Sequence, residues 1–177
     1  MKRDTQAKKK ILNFLLDDVG EKFYLTRLAR ETGVSDSTIH QILEKTKGEG
    51  IVQKEKLGNL SLYFINPLDP VVKQMKVLRT TELLRPLIEK LRDFSQKVIL
   101  YGSCSRGEDT KESDIDLFIL TNEGEEVKRV LSKYSGGGKR IQTVIKNFNE
   151  WVEHKEKDNF FYGEIKNGLT LWEANEP

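Results

Sequence analysis

Val98-Ile99-Leu100-Tyr101-Gly102-Ser103-Cys104-Ser105-Arg106-Gly107, followed seven residues later by Asp114-Ile115-Asp116-Leu117, is the stretch on which the fold turns. It reads as an apolar strand, a Gly-Ser turn into a short helix, a polar loop, and a second apolar strand with two carboxylates. Asp114 and Asp116 stand at i and i+2, so on a strand both side chains leave one face of the sheet. Two carboxylates in an otherwise apolar element repel each other unless a cation lies between them. Mg²⁺ takes oxygen ligands from one or two carboxylates together with substrate phosphates. Free backbone N–H groups at the start of a helix after Gly102-Ser103 favour phosphate. The bland alternatives are a turn-capping role for Asp114 and a strand-edge charge for Asp116.

The ordered set Gly102-Ser103, Arg106-Gly107 and Ser113-Asp114-Ile115-Asp116-Leu117 resembles the nucleotidyltransferase superfamily with the DNA polymerase β-like catalytic fold. Within it, the match is to the minimal nucleotidyltransferases. The resemblance covers roughly the C-terminal half of the chain. It implies a two-metal displacement on a nucleoside triphosphate, with Asp114 and Asp116 as catalytic metal ligands and Gly102 and Ser103 on the β/γ phosphates. Mg²⁺ or Mn²⁺ is the implied metal and ATP the expected nucleotide. Arg106 is a further candidate for the triphosphate, or else a surface partner of Glu108 or Asp109. One departure stands out: the next strand, Arg140-Ile141-Gln142-Thr143-Val144-Ile145, offers no acid where the family carries its third carboxylate. Glutamine is a poor general base.

Upstream, Ile11, Leu12, Leu15 and Leu16 keep helical spacing over 8–18. A short helix follows from Leu25 to Glu31, with Thr26 as a first-turn cap, then a turn at Gly33. Ser35 is the N-cap of a third helix with Ile39, Ile42 and Leu43 inward. Ile51–Lys56 and Leu60–Ile65 read as strands joined at Gly58-Asn59. This order resembles a winged helix-turn-helix domain over residues 1–66. It implies a reading face for double-stranded DNA made of Ser35, Ser37, Thr38, His40, Gln41 and Lys45, with Lys54 and Lys56 on phosphates. Asp36 and Glu44 dilute that face, and a protein-contact role is the alternative.

Asn66-Pro67-Leu68-Asp69-Pro70 breaks the chain. A helical linker is expected over 67–97, kinked or divided at Pro86. The fold class expected is therefore α+β: a winged helix-turn-helix at 1–66, the linker, and an α/β nucleotidyltransferase fold at 98–177 with a mixed sheet flanked by helices. Beyond the motif, a helix at 125–134, a flexible Ser135–Gly138, a third strand, an Asn147/Glu150 capping box, a helix at 159–167 and a last strand at 169–172 complete the plan.

Charge divides the same way. Residues 1–66 hold 12 Lys+Arg against 9 Asp+Glu, residues 67–97 hold 7 against 4, and residues 98–177 hold 11 against 15. A basic front and acidic back suggest different partners for the two units. The single Cys104 excludes an internal disulfide and reads as packing. Trp151, Trp172, Phe160 and Phe161 read as core. With no membrane-length apolar run, the chain is expected to be soluble and cytoplasmic. A homodimer through the 71–94 helix and a protein acceptor, such as a helical toxin partner, are further expectations. Two functions stay open: nucleotidyl transfer coupled to DNA binding, or a DNA-binding regulator whose second domain holds nucleotide without turnover.

Overall fold

The computed structural model describes residues 2–134, 138–157 and 159–174, with the side chains of 2–4, 154–157 and 159 outside the description. The expected flexible segment at 135–138 falls outside it except for Gly138. The chain forms two compact units, Met1–Lys73 and Gln74–Pro177. No helix among the described residues is long and apolar enough to cross a membrane.

The first unit runs α1 (Lys2–Asp17), β1 (Phe23–Tyr24), α2 (Leu25–Thr32), α3 (Asp36–Gly48), β2 (Gln53–Leu57) and β3 (Leu60–Phe64). Its sheet is antiparallel in the order β1-β3-β2. Ile11, Leu15, Phe23, Leu28, Ile39, Leu43, Tyr63 and Ile65 are among its fully buried side chains. Gly33 closes α2 at φ 66° with its N–H on the Ala29 carbonyl, a left-handed cap that glycine adopts without strain. The Ser35 hydroxyl then accepts from the Thr38 N–H at 3.4 Å and starts α3. Two details differ from the sequence expectation. The two-residue β1 was too short for any periodic pattern to show. Because it runs straight into α2, Tyr24 holds the N-cap position without a side-chain bond and Thr26 caps nothing.

In the second unit, α4 (Pro70–Leu91) begins just before the division and continues through Pro86 as one helix. Proline removes one N–H and is tolerated here because Leu84, Leu87, Ile88 and Leu91 bury around it, leaving Pro86 exposed. These three leucines and one isoleucine pack on Val98, Leu100, Ile115, Leu117 and Ile119. The helix expected as a linker is thus, in its second half, core of this unit.

After a 3-10 turn (Arg92–Phe94) come β4 (Lys97–Tyr101), α5 (Gly102–Arg106), β5 (Ile115–Leu120), α6 (Gly124–Ser132), β6 (Ile141–Lys146), α7 (Phe148–Lys157), α8 (Asn159–Lys166) and β7 (Leu169–Glu173). The sheet is mixed, in the order β6-β5-β4-β7, with β5 and β6 parallel and the other pairs antiparallel. Period-two alternation sends Ile115, Leu117 and Ile119 toward α4 and α6. Asp116 and Phe118 go to the other face, where Ile99, Ile165, Trp151 and Phe161 pack. Asn147 and Glu150 cap α7 reciprocally, each bond 2.9 Å. Phe160, expected in the core, is 83% exposed. Leaving Phe160 outside follows from α8 turning Phe161 and Ile165, four apart, onto the sheet.

Candidate functional site

Strand direction assembles the site. Since β4 is antiparallel to β5 and β6 is parallel to it, the C-terminal end of β4 meets the N-terminal ends of the other two. Tyr101, Asp116 and Gln142 stand side by side in register there. The turn after β4 and the residues before β5 and β6 therefore converge on one edge of the sheet.

Gly102 opens α5 at φ 69°, and a Cβ built on it would lie 2.6 Å from Asp116 Oδ2. The left-handed backbone favours glycine, and any side chain here would push the Asp116 carboxylate aside. The position before α5 carries no side-chain cap, so its leading N–H groups have no intrahelical acceptor and remain available to an anion. Gly107 ends α5 in the left-handed region, with its N–H on the Ser103 carbonyl.

Asp114 sits one residue ahead of β5 rather than in it, and its environment differs from that of Asp116. The Arg140 guanidinium lies 3.0 Å from Asp114 Oδ2, and the Gln142 amide donates to the same oxygen. Asp116 has no such compensation. Burial, and then the negative charge of Asp114, raise its pKa above the ordinary carboxylate value. The Tyr101 hydroxyl is shifted upward as well, by burial first and Asp116 second. A half-buried carboxylate whose charge is opposed on both counts is one that a divalent cation would stabilise. Two carboxylates, with phosphate oxygens completing the shell, suit Mg²⁺. Among the described residues no group of three acidic, histidine or cysteine side chains is placed to hold a metal. Gln142, in register with Asp116, stands where a third acid would be expected.

Arg106 pairs with Glu108 at 3.1 Å and with Glu164 at 3.0 Å. Of the two surface partners considered from sequence, Glu108 is the one engaged, and Glu164 could not be foreseen. Asp109 has a different role. It is buried, with Lys139 Nζ at 2.5 Å from Oδ2 and Lys76 Nζ at 3.5 Å from Oδ1. Lys76 also donates to the Asp109 carbonyl, and Lys139 to the Thr110 carbonyl at 2.9 Å. Ser113 closes the loop by accepting from the Thr110 N–H at 2.8 Å. The segment between the Gly-Ser turn and the two carboxylates is thus fastened from α4 and from the approach to β6. Sequence reading missed this cluster, whose members lie 33 and 30 residues apart. The only available signal was an acid in a loop between glycine and serine. Cys104 is buried, with its thiol pushed up to about 11 by burial, and donates to the Asp114 carbonyl at 3.3 Å. It packs and does not react.

Residues 82–167 match the family model of the nucleotidyltransferase domain. This region is a nucleotidyltransferase domain. The match takes in the Gly-Ser turn, both aspartates, Arg140 and Gln142. Among solved structures, the chain is similar to a candidate nucleotidyltransferase from Sulfolobus solfataricus: 15% identity, 58% of this chain and 87% of that one, TM-score 0.40. It is also similar to HmgR of Pseudomonas aeruginosa: 20% identity, 56% of this chain and 42% of that one, TM-score 0.35. No curated protein sequence matches the chain.

In the first unit, Ser35, Ser37, His40, Gln41 and Lys45 are exposed along one side of α3, with Thr38 half-buried beside them. Ser35 is also committed to its cap and bonds the Thr38 hydroxyl at 2.9 Å. On the hairpin Lys56 is exposed. The Lys54 ammonium lies 2.7 Å from Glu44 and 5.2 Å from the Tyr63 ring centre.

Proposed function

We propose that the chain transfers a nucleoside monophosphate from a Mg²⁺-bound nucleoside triphosphate, ATP being the expected one, to a hydroxyl acceptor. The proposal includes a DNA-binding winged helix in the first unit. The observation that carries the transfer reading is the close approach of Gly102 to the uncompensated Asp116, with Asp114 beside it, inside the nucleotidyltransferase domain. Asp114 and Asp116 would hold the metal, and the backbone of Gly102-Ser103 the β/γ phosphates. Bound there, Mg²⁺ would neutralise charge on the triphosphate. The acceptor oxygen would form a bond to the α-phosphorus, the bond from it to the β-phosphate's bridging oxygen would break, pyrophosphate would leave, and the hydroxyl proton would pass to solvent. A protein hydroxyl, such as that of a helical toxin partner, is one acceptor of this chemistry.

A second reading, a regulator that holds nucleotide without turnover, is favoured by one observation. Gln142 occupies the register position of a third acid and cannot take the acceptor's proton. Incubation with labelled ATP, Mg²⁺ and cell extract separates the two. Label on an acceptor that disappears with Asp114→Ala supports transfer. Nucleotide-dependent operator binding with no label supports the regulator. For the first unit, exposed Lys45 and Lys56 with the polar side of α3 support a duplex partner. Gel filtration in the presence of operator DNA tests both that partner and a homodimer.

A further inference from the structure

Lys139, Arg140 and Gln142 all reach back to the 109–114 loop. Lys139 holds Asp109 and Thr110, while Arg140 and Gln142 hold Asp114. The first grip ends on the buried Asp109, with Lys139 largely covered. The second is open to water, since the Arg140 side chain is 72% exposed against 27% for Asp114. From this contrast we infer that Arg140 is an exchangeable counter-ion. It pairs with Asp114, would yield that carboxylate to a metal held by Asp114 and Asp116, and would then pair with the triphosphate.

The inference rests on the metal–triphosphate reading and adds to it a residue that the motif does not contain. Asp114 Oδ2 is the atom Arg140 contacts at 3.0 Å, and a metal bridging Asp114 and Asp116 would need the same carboxylate. A guanidinium and a divalent cation compete for the negative charge of that carboxylate. The pair is cheap to open because it is mostly in water, where an exposed ion pair changes an equilibrium by no more than about fivefold. Once free, Arg140 stays at the end of the sheet where β5 and β6 run parallel, next to the Asp114 carboxylate. The anion that then needs a partner is the triphosphate, and a planar guanidinium matches phosphate oxygens with two N–H donors. Lys139 anchors the residue next to it to the buried Asp109, so only the Arg140 side chain has to move.

The test is a pair of titrations on the full chain, wild type and Arg140→Ala, with Arg140→Lys as control. Mn²⁺ alone is followed by its paramagnetic signal, and Mn²⁺ with a non-hydrolysable ATP analogue by calorimetry. Arg140→Ala is expected to tighten Mn²⁺ alone about two- to fivefold, since its competitor is gone. The same variant is expected to weaken the metal–nucleotide complex about tenfold or more, since a charge-assisted contact is lost. Arg140→Lys should recover part of the second effect. A merely structural role would move both affinities in the same direction, and that result overturns the inference, as does no change in either. If wild-type protein binds Mn²⁺ no better than Asp114→Asn, the metal site itself fails and takes the inference with it.

Discussion

The side of α3 and the sheet edge of the second unit treat charge in opposite ways. Around α3, lysines are neutralised by neighbours: Lys54 and Lys47 by Glu44, and Lys8 by Glu49 at 2.8 Å. The Glu44 and Glu49 carboxyls are accordingly held below their usual range, chiefly by hydrogen bonds from Lys54 and Lys8. At the sheet edge compensation stops halfway. Asp109 and Asp114 have cations, and among the described residues Asp116 has none. Around α3, Lys45 and Lys56 are thus left to carry most of the surface's attraction for a polyanion. One carboxylate kept unpaired in a half-buried place is stored repulsion that only an incoming cation relieves.

The largest expected effect comes from breaking the compensated part of that edge. Lys76→Met leaves the buried Asp109 with Lys139 alone, and removing one partner of a buried pair costs about 3–5 kcal/mol. Urea unfolding of the variant should show a loss of that size. A loss below about 1 kcal/mol would mean that the loop is not anchored there.

Gly102→Ala forces a methyl to within 2.6 Å of Asp116 Oδ2 at a positive φ. Destabilisation of about 1–3 kcal/mol is expected, with nucleotide binding lost even where the fold survives. Wild-type affinity in this variant would remove the close approach from the site.

Asp116→Asn should separate function from stability. Metal binding falls at least about tenfold, as expected for loss of one of two charged ligands, while thermal stability rises. The direction follows from linkage. A carboxyl whose pKa is raised by folding favours the fold when protonated, so stability falls as pH rises from the unfolded value toward the folded one. The variant's advantage should therefore be present at neutral pH and disappear under acid, below about pH 4, where both states are protonated. In the wild type, Mn²⁺ affinity should decline with falling pH earlier than for an ordinary aspartate. A variant less stable than wild type at pH 7 would contradict the assignment of Asp116 as the uncompensated charge.

The smallest effect belongs to α3. Glu44→Gln releases Lys54 and Lys47, so non-specific DNA affinity should rise, and the slope of log K against log salt should steepen by about one to two. An unchanged slope would mean that these lysines lie away from the phosphates, and would favour a protein partner for this unit.

The part of the site legible in sequence is the part written in short range. Gly102-Ser103 and Asp114–Asp116 are fixed by a turn and by strand alternation, both local rules. Gln142 could be placed because the strand that follows is itself periodic. The charge anchors were illegible for the opposite reason: Lys76, Asp109 and Lys139 meet only through tertiary packing, as do Arg106 and Glu164. In the first unit the helices and hairpin follow from their apolar spacing. The capture of Lys54 by Glu44, ten residues away across two elements, does not. Pro86 does not divide α4, because the leucines packed on either side hold the helix as one element.

The in-register pairing of β5 with β6 has a genetic consequence. Because Gln142 is already the neighbour of Asp116, no insertion, shift of register or new strand separates this edge from one bearing three acids. A glutamine codon becomes a glutamate codon by a single base, so a lineage carrying this fold could cross between holding a nucleotide and turning it over in one mutational step.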